Sequence, residues 1–301
     1  HQMIIAKSLT KKFDDKTALD NITLTIRDGC IYGLVGSNGS GKSTLLRLIS
    51  GIYMEDGGGI SIDGEKCFNN PDVKSQVAFL GDTPYFLPQS NLKEMSDLYS
   101  NMYPTFDYEI YNYLLGAFPL DQTARLSTFS KGMQRQASLV LALSANPRYL
   151  LMDEAFDGLD VVMRRVLANI IIDRVEKCGM TVIIASHNLR ELENICDHIC
   201  VIHNGKIISN GDLDSLRGNI HKIQVAFEKV PDSSIFENLY IMKTERTGSL
   251  LSMIVKGDEE KIMQFINRLS PLYAECIEPT LEEIFIYELE VVGYDVKNIL
   301  S

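Results

Sequence analysis

With 301 residues, 45% of them hydrophobic and 23% charged, the chain can bury the core of a soluble globular protein, with room for one domain of about 200 residues and a smaller one. A formal net charge of −11 excludes a general basic surface for nucleic acid. No apolar run approaches the roughly 20 residues of a bilayer-crossing helix, so action at a membrane would need a second polypeptide to span it.

His1-Gln2 ahead of Met3 reads as a tag remnant, and the residues after it lack the layout of a secretory signal. Cys30, Cys67, Cys178, Cys196, Cys200 and Cys276 include no Cys-x-x-Cys pair and sit mostly in apolar runs, as reduced cytosolic thiols do. Cys196 and Cys200 flank Asp197-His198-Ile199 at a spacing that matches no metal site.

Residues 3–35 contain two alternating runs, Ile22-Thr23-Leu24-Thr25-Ile26 being the clearer, which predict half-buried strands. Phe13, in the charged turn Lys11 to Lys16, is either a lone exposed ring or a platform for a nucleobase. Next, the apolar run Cys30 to Val35 enters Gly36-Ser37-Asn38-Gly39-Ser40-Gly41-Lys42-Ser43-Thr44 and then a helical pattern to Ile49. Strand, glycine-rich turn and helix start, in that order, make a phosphate-binding loop: the backbone bends so that several N–H groups face one anion, and the helix end adds partial positive charge. Lys42 then bridges the β- and γ-phosphates, and the Ser43 hydroxyl serves Mg²⁺.

Val77 to Leu80 predicts a buried strand ended by Gly81-Asp82-Thr83-Pro84, and residues 91–145 read as a mainly helical insertion. Leu150-Leu151-Met152 delivers Asp153 and Glu154 to the crevice end of a parallel sheet, Asp153 to hold Mg²⁺ through water and Glu154 to polarise or deprotonate an attacking water. Met180 to Ala185 predicts another buried strand, whose end places His187 at the same crevice as a candidate γ-phosphate contact.

Phe129-Ser130-Lys131-Gly132-Met133-Gln134 precedes the Asp153-Glu154 strand, and Asp157-Gly158-Leu159-Asp160 follows it. With the loop and His187 in order around them, residues 3–218 resemble the ATPase subunit of ATP-binding-cassette (ABC) transporters. The resemblance implies an α/β fold, a P-loop NTPase nucleotide-binding domain with a helical insertion. It makes Phe13 the adenine-stacking ring, Gly36 to Thr44 the Walker A loop, and Ser130 and Gly132 the signature core. Asp153 becomes the Walker B acid, Glu154 the catalytic glutamate, Asp160 the D-loop acid and His187 the switch histidine. It further implies ATP and Mg²⁺, and a head-to-tail homodimer or heterodimer in which Ser130 of one subunit meets ATP held by the other. A separate transmembrane permease would hold the subunit at the cytoplasmic face of the membrane, with export favoured over import and no nucleic acid expected. Other readings are a soluble ABC protein acting on ribosome or nucleic acid, and a nucleotide-binding regulator with little turnover.

The chain departs from the family pattern in three places. Its signature reads Phe-Ser-Lys-Gly-Met, Ala155-Phe156-Asp157 replaces a common Pro-Thr-Ser, and Asp82 stands where the Q-loop glutamine belongs. Asp82 is either a Mg²⁺ ligand or a turn cap, with Gln89 as a displaced substitute. Residues 219–301 lack a second phosphate loop and predict a small α/β accessory domain. Its expected strands are Ile223 to Phe227 and Leu250 to Val255, and its expected helices Glu259 to Leu269 and Leu281 to Leu289, the latter capped by Thr280. No residue cluster in this domain marks a ligand site on sequence grounds.

Overall fold

The early alternation becomes two antiparallel strands, β1 (Met3–Phe13) and β2 (Lys16–Arg27), in a computed structural model that describes residues 3–291 and the side chains up to residue 286. His1-Gln2 and residues 292–301 of the expected accessory domain lie outside the described residues. β3 (Ile31–Val35) is buried at every position and leads through the glycine-rich loop into α1 (Lys42–Ile49). β4 (Gly57–Ile62) and the short β5 (Glu65–Lys66) complete a first sheet in the order β2-β1-β4-β5.

Leu45, Leu46, Leu48 and Ile49 of α1 are buried in one core with Ile4, Ile22 and Ile60 of this sheet and Tyr149, Leu151 and Ile183 of the next. Each such side chain contributes about 1.5–3 kcal/mol on burial, so the helix that begins at the phosphate loop is fixed between two sheets.

Past α2 (Pro71–Lys74), β6 (Val77–Leu80) is followed by the helices α3 (Leu92–Met102), α4 (Tyr108–Ala117) and α5 (Lys131–Ser144). Asn91 and Glu94 form a reciprocal capping box at the start of α3. β7 (Tyr149–Asp153), α6 (Val161–Cys178), β8 (Thr181–Ser186), α7 (Leu189–Glu193), β9 (His198–His203) and β10 (Lys206–Asp212) follow. The second sheet has the order β10-β9-β3-β8-β7-β6, and the pairs β6–β7, β7–β8, β3–β8 and β3–β9 are all parallel. Continuous burial of β3, β7 and β8 is what a parallel sheet covered on both faces requires. The ends of β3, β7 and β8 are thereby brought side by side, where such sheets hold ligands. Cys196 and Cys200 are buried thiols, and the intervening Asp197 accepts a hydrogen bond from the Ile31 N–H at 2.7 Å, which accounts for that acid without a metal.

The chain divides into two compact units between Gly211 and Asp212, ahead of the expected Gly218. In the second unit α8 (Leu213–Arg217) precedes β11 (Ile220–Ala226), β12 (Tyr240–Thr247), β13 (Leu250–Lys256), α9 (Glu259–Arg268), β14 (Tyr273–Ile277) and α10 (Leu281–Val291). Its antiparallel sheet runs β12-β13-β11-β14. Ile262 and Ile266 of α9 pack with Ile223, Val225, Met253 and Val255 in a separate small core. Thr280 Oγ1 accepts from the Glu283 N–H at 3.2 Å, capping α10.

Candidate functional site

A cavity of about 290 Å³ opens at the end of β3 and is lined by Phe13, Lys16, Asn38, Gly39, Gly41 to Thr44, Asp82, Asp153 and Glu154. The loop at its base is built by close backbone approach. A Cβ on Gly36 would run into the Ile202 carbonyl and lie 2.6 Å from Ser40 Oγ. Gly41 holds φ +116°, and a side chain there would meet the Ala18 carbonyl at 2.7 Å. Gly205 props the turn, donating its N–H to the Ser40 carbonyl at 2.8 Å and accepting from the Asp20 N–H at 2.9 Å. No side chain caps α1, so its first N–H groups are left to the cavity.

Lys42 is 4% exposed, and its ammonium donates to the carbonyls of Gly36 at 2.5 Å and Ser37 at 3.1 Å, with Glu154 Oε1 at 3.8 Å. Burial lowers its pKa, while Glu154 and Asp153 pull it back up. Facing it, Asp153 is 1% exposed, and neither carboxylate oxygen has a hydrogen-bond partner of good geometry. Burial raises the Asp153 carboxyl, against the nearby Ser43 hydroxyl and the Arg47 and Lys42 charges. A buried carboxylate with no donor is costly unless a cation and further donors compensate it. This is the observation that marks the cavity as a place for a cation beside an anion-binding loop.

Glu154 follows β7 with φ +50°, a conformation unfavourable for a side chain of its size. Its backbone is held on both sides: the N–H donates to the Ala185 carbonyl at 2.9 Å, and the carbonyl accepts from Arg135 Nη2 at 2.5 Å. The side chain is thereby turned so that Oε2 lies 3.0 Å from His187 Nδ1. Burial raises its carboxyl, Lys42 and His187 opposing. Asp157, Glu154 and His187 bring ligand atoms within 4.8 Å of one another at this corner.

Arg135, which the sequence reading passed over, is almost fully buried and ties three carbonyls together: Gly81 at 2.5 Å, Asp153 at 3.2 Å and Glu154 at 2.5 Å. It lies five positions after Ser130, and an arginine on a polar helix face gives no sign in the sequence that it is buried.

Asp82 lines the cavity and approaches Arg47 at 4.0 Å; it accepts no turn-capping hydrogen bond. Gln89 is exposed, with φ +63°, and does not line the cavity. Phe13 sits at the cavity wall, 40% exposed, edge-on to Tyr53 at 5.3 Å and with Lys11 Nζ 5.3 Å from its ring centre. Two groups lie elsewhere. Ser130 caps α5 through the Met133 N–H at 3.2 Å, and Asp160 caps α6 through the Met163 N–H at 2.8 Å. Ser130, Gly132 and Asp160 are absent from this cavity's lining.

Residues 19–157 match the family model for the ABC transporter. Over 284 residues the chain is 34% identical to the ABC transporter ATP-binding protein YtrB of Bacillus subtilis, a match that spans 94% of this chain and 97% of YtrB. The chain belongs to the ABC transporter family. It is similar as well to the bacitracin transport ATP-binding protein BcrA of Bacillus licheniformis, at 27% identity over 71% of each chain. A solved ATP-binding subunit of an ABC transporter shares its fold with a TM-score of 0.66 at 28% identity, covering 71% of this chain and 92% of that one. Phosphate loop, parallel sheet and helical insertion are therefore those of an ABC ATPase cassette that binds ATP, and no helix among the described residues is long and apolar enough to cross a membrane.

The buried acid gives a stability test. Because the folded state raises the Asp153 carboxyl above its unfolded value, its ionised form destabilises the nucleotide-free fold, and stability falls as pH climbs through that window. Asp153→Asn is expected to unfold at a higher temperature than the parent near pH 7 without nucleotide, by about 2–4 °C for each kcal/mol recovered. The same variant is expected to gain less stability than the parent when Mg²⁺ and ATP are added. Thermal melts with and without the two ligands measure both.

Proposed function

We propose that the chain is a Mg²⁺-dependent ATPase subunit that closes head to tail on a second ATPase subunit around ATP and drives a separate membrane permease, in the direction of export. The observation that carries this reading is the meeting of Lys42, Ser43, Asp153 and Glu154 on one cavity at the crevice end of a parallel sheet. Lys42 binds and orients the β- and γ-phosphates in place of the loop carbonyls it now contacts. Glu154, its charge steadied by Lys42 and His187, takes the proton of the attacking water. Ser43, Asp153 and Asp82 would hold Mg²⁺, which would supply positive charge beside the outer phosphates.

The subunit pairing draws support from residues outside the cavity. Ser130 and its helix end stand on the surface, and Val161 and Val162, directly after Asp160, are 82% and 67% exposed. Two adjacent valines in water directly after Asp160 fit a surface that a second subunit covers. The permease reading draws support from a groove of about 530 Å³ lined by Ile52, Lys74, Phe79, Met102 and Tyr103, an apolar slot suited to a short amphipathic segment. Similarity to a bacitracin transport ATP-binding protein supports a role in transport. Co-purification of the tagged chain with a membrane protein, together with ATP turnover in that complex, tests the reading; isolation without any membrane partner would favour a soluble role.

The choice at the Q-loop has its own test. With Asp82 on the cavity and Gln89 off it, Asp82→Ala is expected to raise severalfold the Mg²⁺ concentration for half-maximal ATPase activity, because a carboxylate contributes directly to Mg²⁺ affinity. Gln89→Ala is expected to leave that concentration unchanged. A shift confined to the Gln89 variant would move the Q-loop role there.

A further inference from the structure

The second unit contains a cluster that the nucleotide site does not explain. His221 on β11, Glu259 at the start of α9 and Cys276 on β14 bring an imidazole nitrogen, a carboxylate oxygen and a thiol sulfur within 4.8 Å of one another. His221 Nδ1 stands 3.9 Å from Glu259 Oε2.

Topology explains the meeting. β11 and β14 pair antiparallel with Ile223 opposite Cys276, and His221, two residues before Ile223, projects from the same face of the sheet. That is the face on which α9 packs, so the first residue of the helix is set over the two strand side chains. Asp258 does not join them, because its carboxylate caps the helix through the Lys261 N–H at 3.0 Å. The three groups come from three elements far apart in sequence, which is why no spacing signalled them.

We propose that His221, Glu259 and Cys276 bind one borderline-soft divalent metal ion of the Zn²⁺ type. The donor set selects the metal class: a thiolate and an imidazole favour Zn²⁺ or its transition-metal neighbours over Mg²⁺ or Ca²⁺, which require oxygen. The distances suit it too. Tetrahedral zinc, with bonds of about 2.0–2.3 Å, sets its ligand atoms roughly 3.2–3.8 Å apart, so the observed cluster needs only side-chain closure of about an ångström.

Charge favours an ion as well. A dication placed among the three groups would stabilise both the Glu259 carboxylate and a thiolate at Cys276. Glu259 and Glu260 in the first turn offset the unfavourable helix end. On binding, the thiol proton passes to solvent and the sulfur becomes a metal-bound thiolate. Three protein ligands leave the fourth position to water, and the Glu259 side chain, 59% exposed, opens that position to solvent.

The test uses the full chain and Co²⁺ as a spectroscopic probe, followed by displacement with Zn²⁺. The parent is expected to show thiolate-to-cobalt charge-transfer absorption that Zn²⁺ abolishes. Cys276→Ser, close to isosteric, is expected to lose that absorption, while Cys178→Ser, which removes an exposed thiol elsewhere, keeps it. His221→Asn keeps the cysteine and is expected to weaken metal affinity by more than the roughly 10–100-fold that loss of a supporting hydrogen bond costs. Circular dichroism of both variants reports whether the unit remains folded. No thiolate absorption in the parent, or absorption that survives in folded Cys276→Ser, overturns the proposal. Lys42→Ala should leave the titration unchanged, so the result stands apart from the ATP reading.

Discussion

Lys42→Ala is expected to weaken ATP binding by about 100-fold or more while barely altering the stability of the nucleotide-free chain. A hydrogen bond to a charged group is worth about 1.5–3 kcal/mol net, and the ammonium would contact two phosphates from a site shielded from water, so the loss falls at or above the upper end of that range. The free protein reacts differently because Lys42 now donates to two neutral carbonyls and meets Glu154 only in a longer ion pair at 3.8 Å. Burial already disfavours its charge, so removal of the amine relieves a desolvation cost as it gives up two hydrogen bonds. Melts with and without ATP separate the two effects: a normal baseline with no ATP-dependent rise is the expected result. Near-normal ATP affinity would remove the loop from the binding site.

How much of this was legible in the sequence follows from how local each signal is. The phosphate loop and the strands that end at Val35 and Asp153 are read from contiguous residues, because a buried parallel strand is apolar throughout and the loop chemistry sits within nine positions. The edge strand β12 was not legible, although the edge strands β2 and β6 were. β12 is Tyr-Ile-Met-Lys-Thr-Glu-Arg-Thr, exposed over its second half, and it pairs because β13 offers a partner. β9 was obscured by its own polar ends, His198 and His203, although its interior is fully buried against β3. The strand expected from Met180 begins at Thr181, since Gly179 ends α6 in a left-handed conformation and the chain turns there. At the site, carboxylates and lysine were found by motif, whereas Arg135 acts through backbone carbonyls, which leave no side-chain pattern to read. The His221 cluster exists only through tertiary packing of the small unit.

Glu154→Gln is expected to retain ATP and lower its hydrolysis by about 10²–10⁴-fold, the usual contribution of a general base. The amide matches the carboxylate in shape, and the backbone that holds it at φ +50° is anchored by Ala185 and Arg135, neither of which the change touches. What disappears is proton acceptance at Oε2, the atom turned toward His187. The parent's pH profile follows from the same environment. Burial raises the Glu154 carboxyl, so as pH falls the base is protonated, and kcat declines, at a higher pH than for an ordinary glutamate. In the variant that acid limb is absent from the residual rate. In the free fold, where a raised carboxylate costs stability above its unfolded pKa, loss of the charge leaves the variant at least as stable as the parent. Uncleaved ATP should hold two subunits together, and size-exclusion chromatography with ATP is expected to show a dimer for the variant and less of one for the parent. If the variant binds ATP yet stays monomeric at high protein concentration, the head-to-tail arrangement of identical subunits fails, and pairing would require a different ATPase chain.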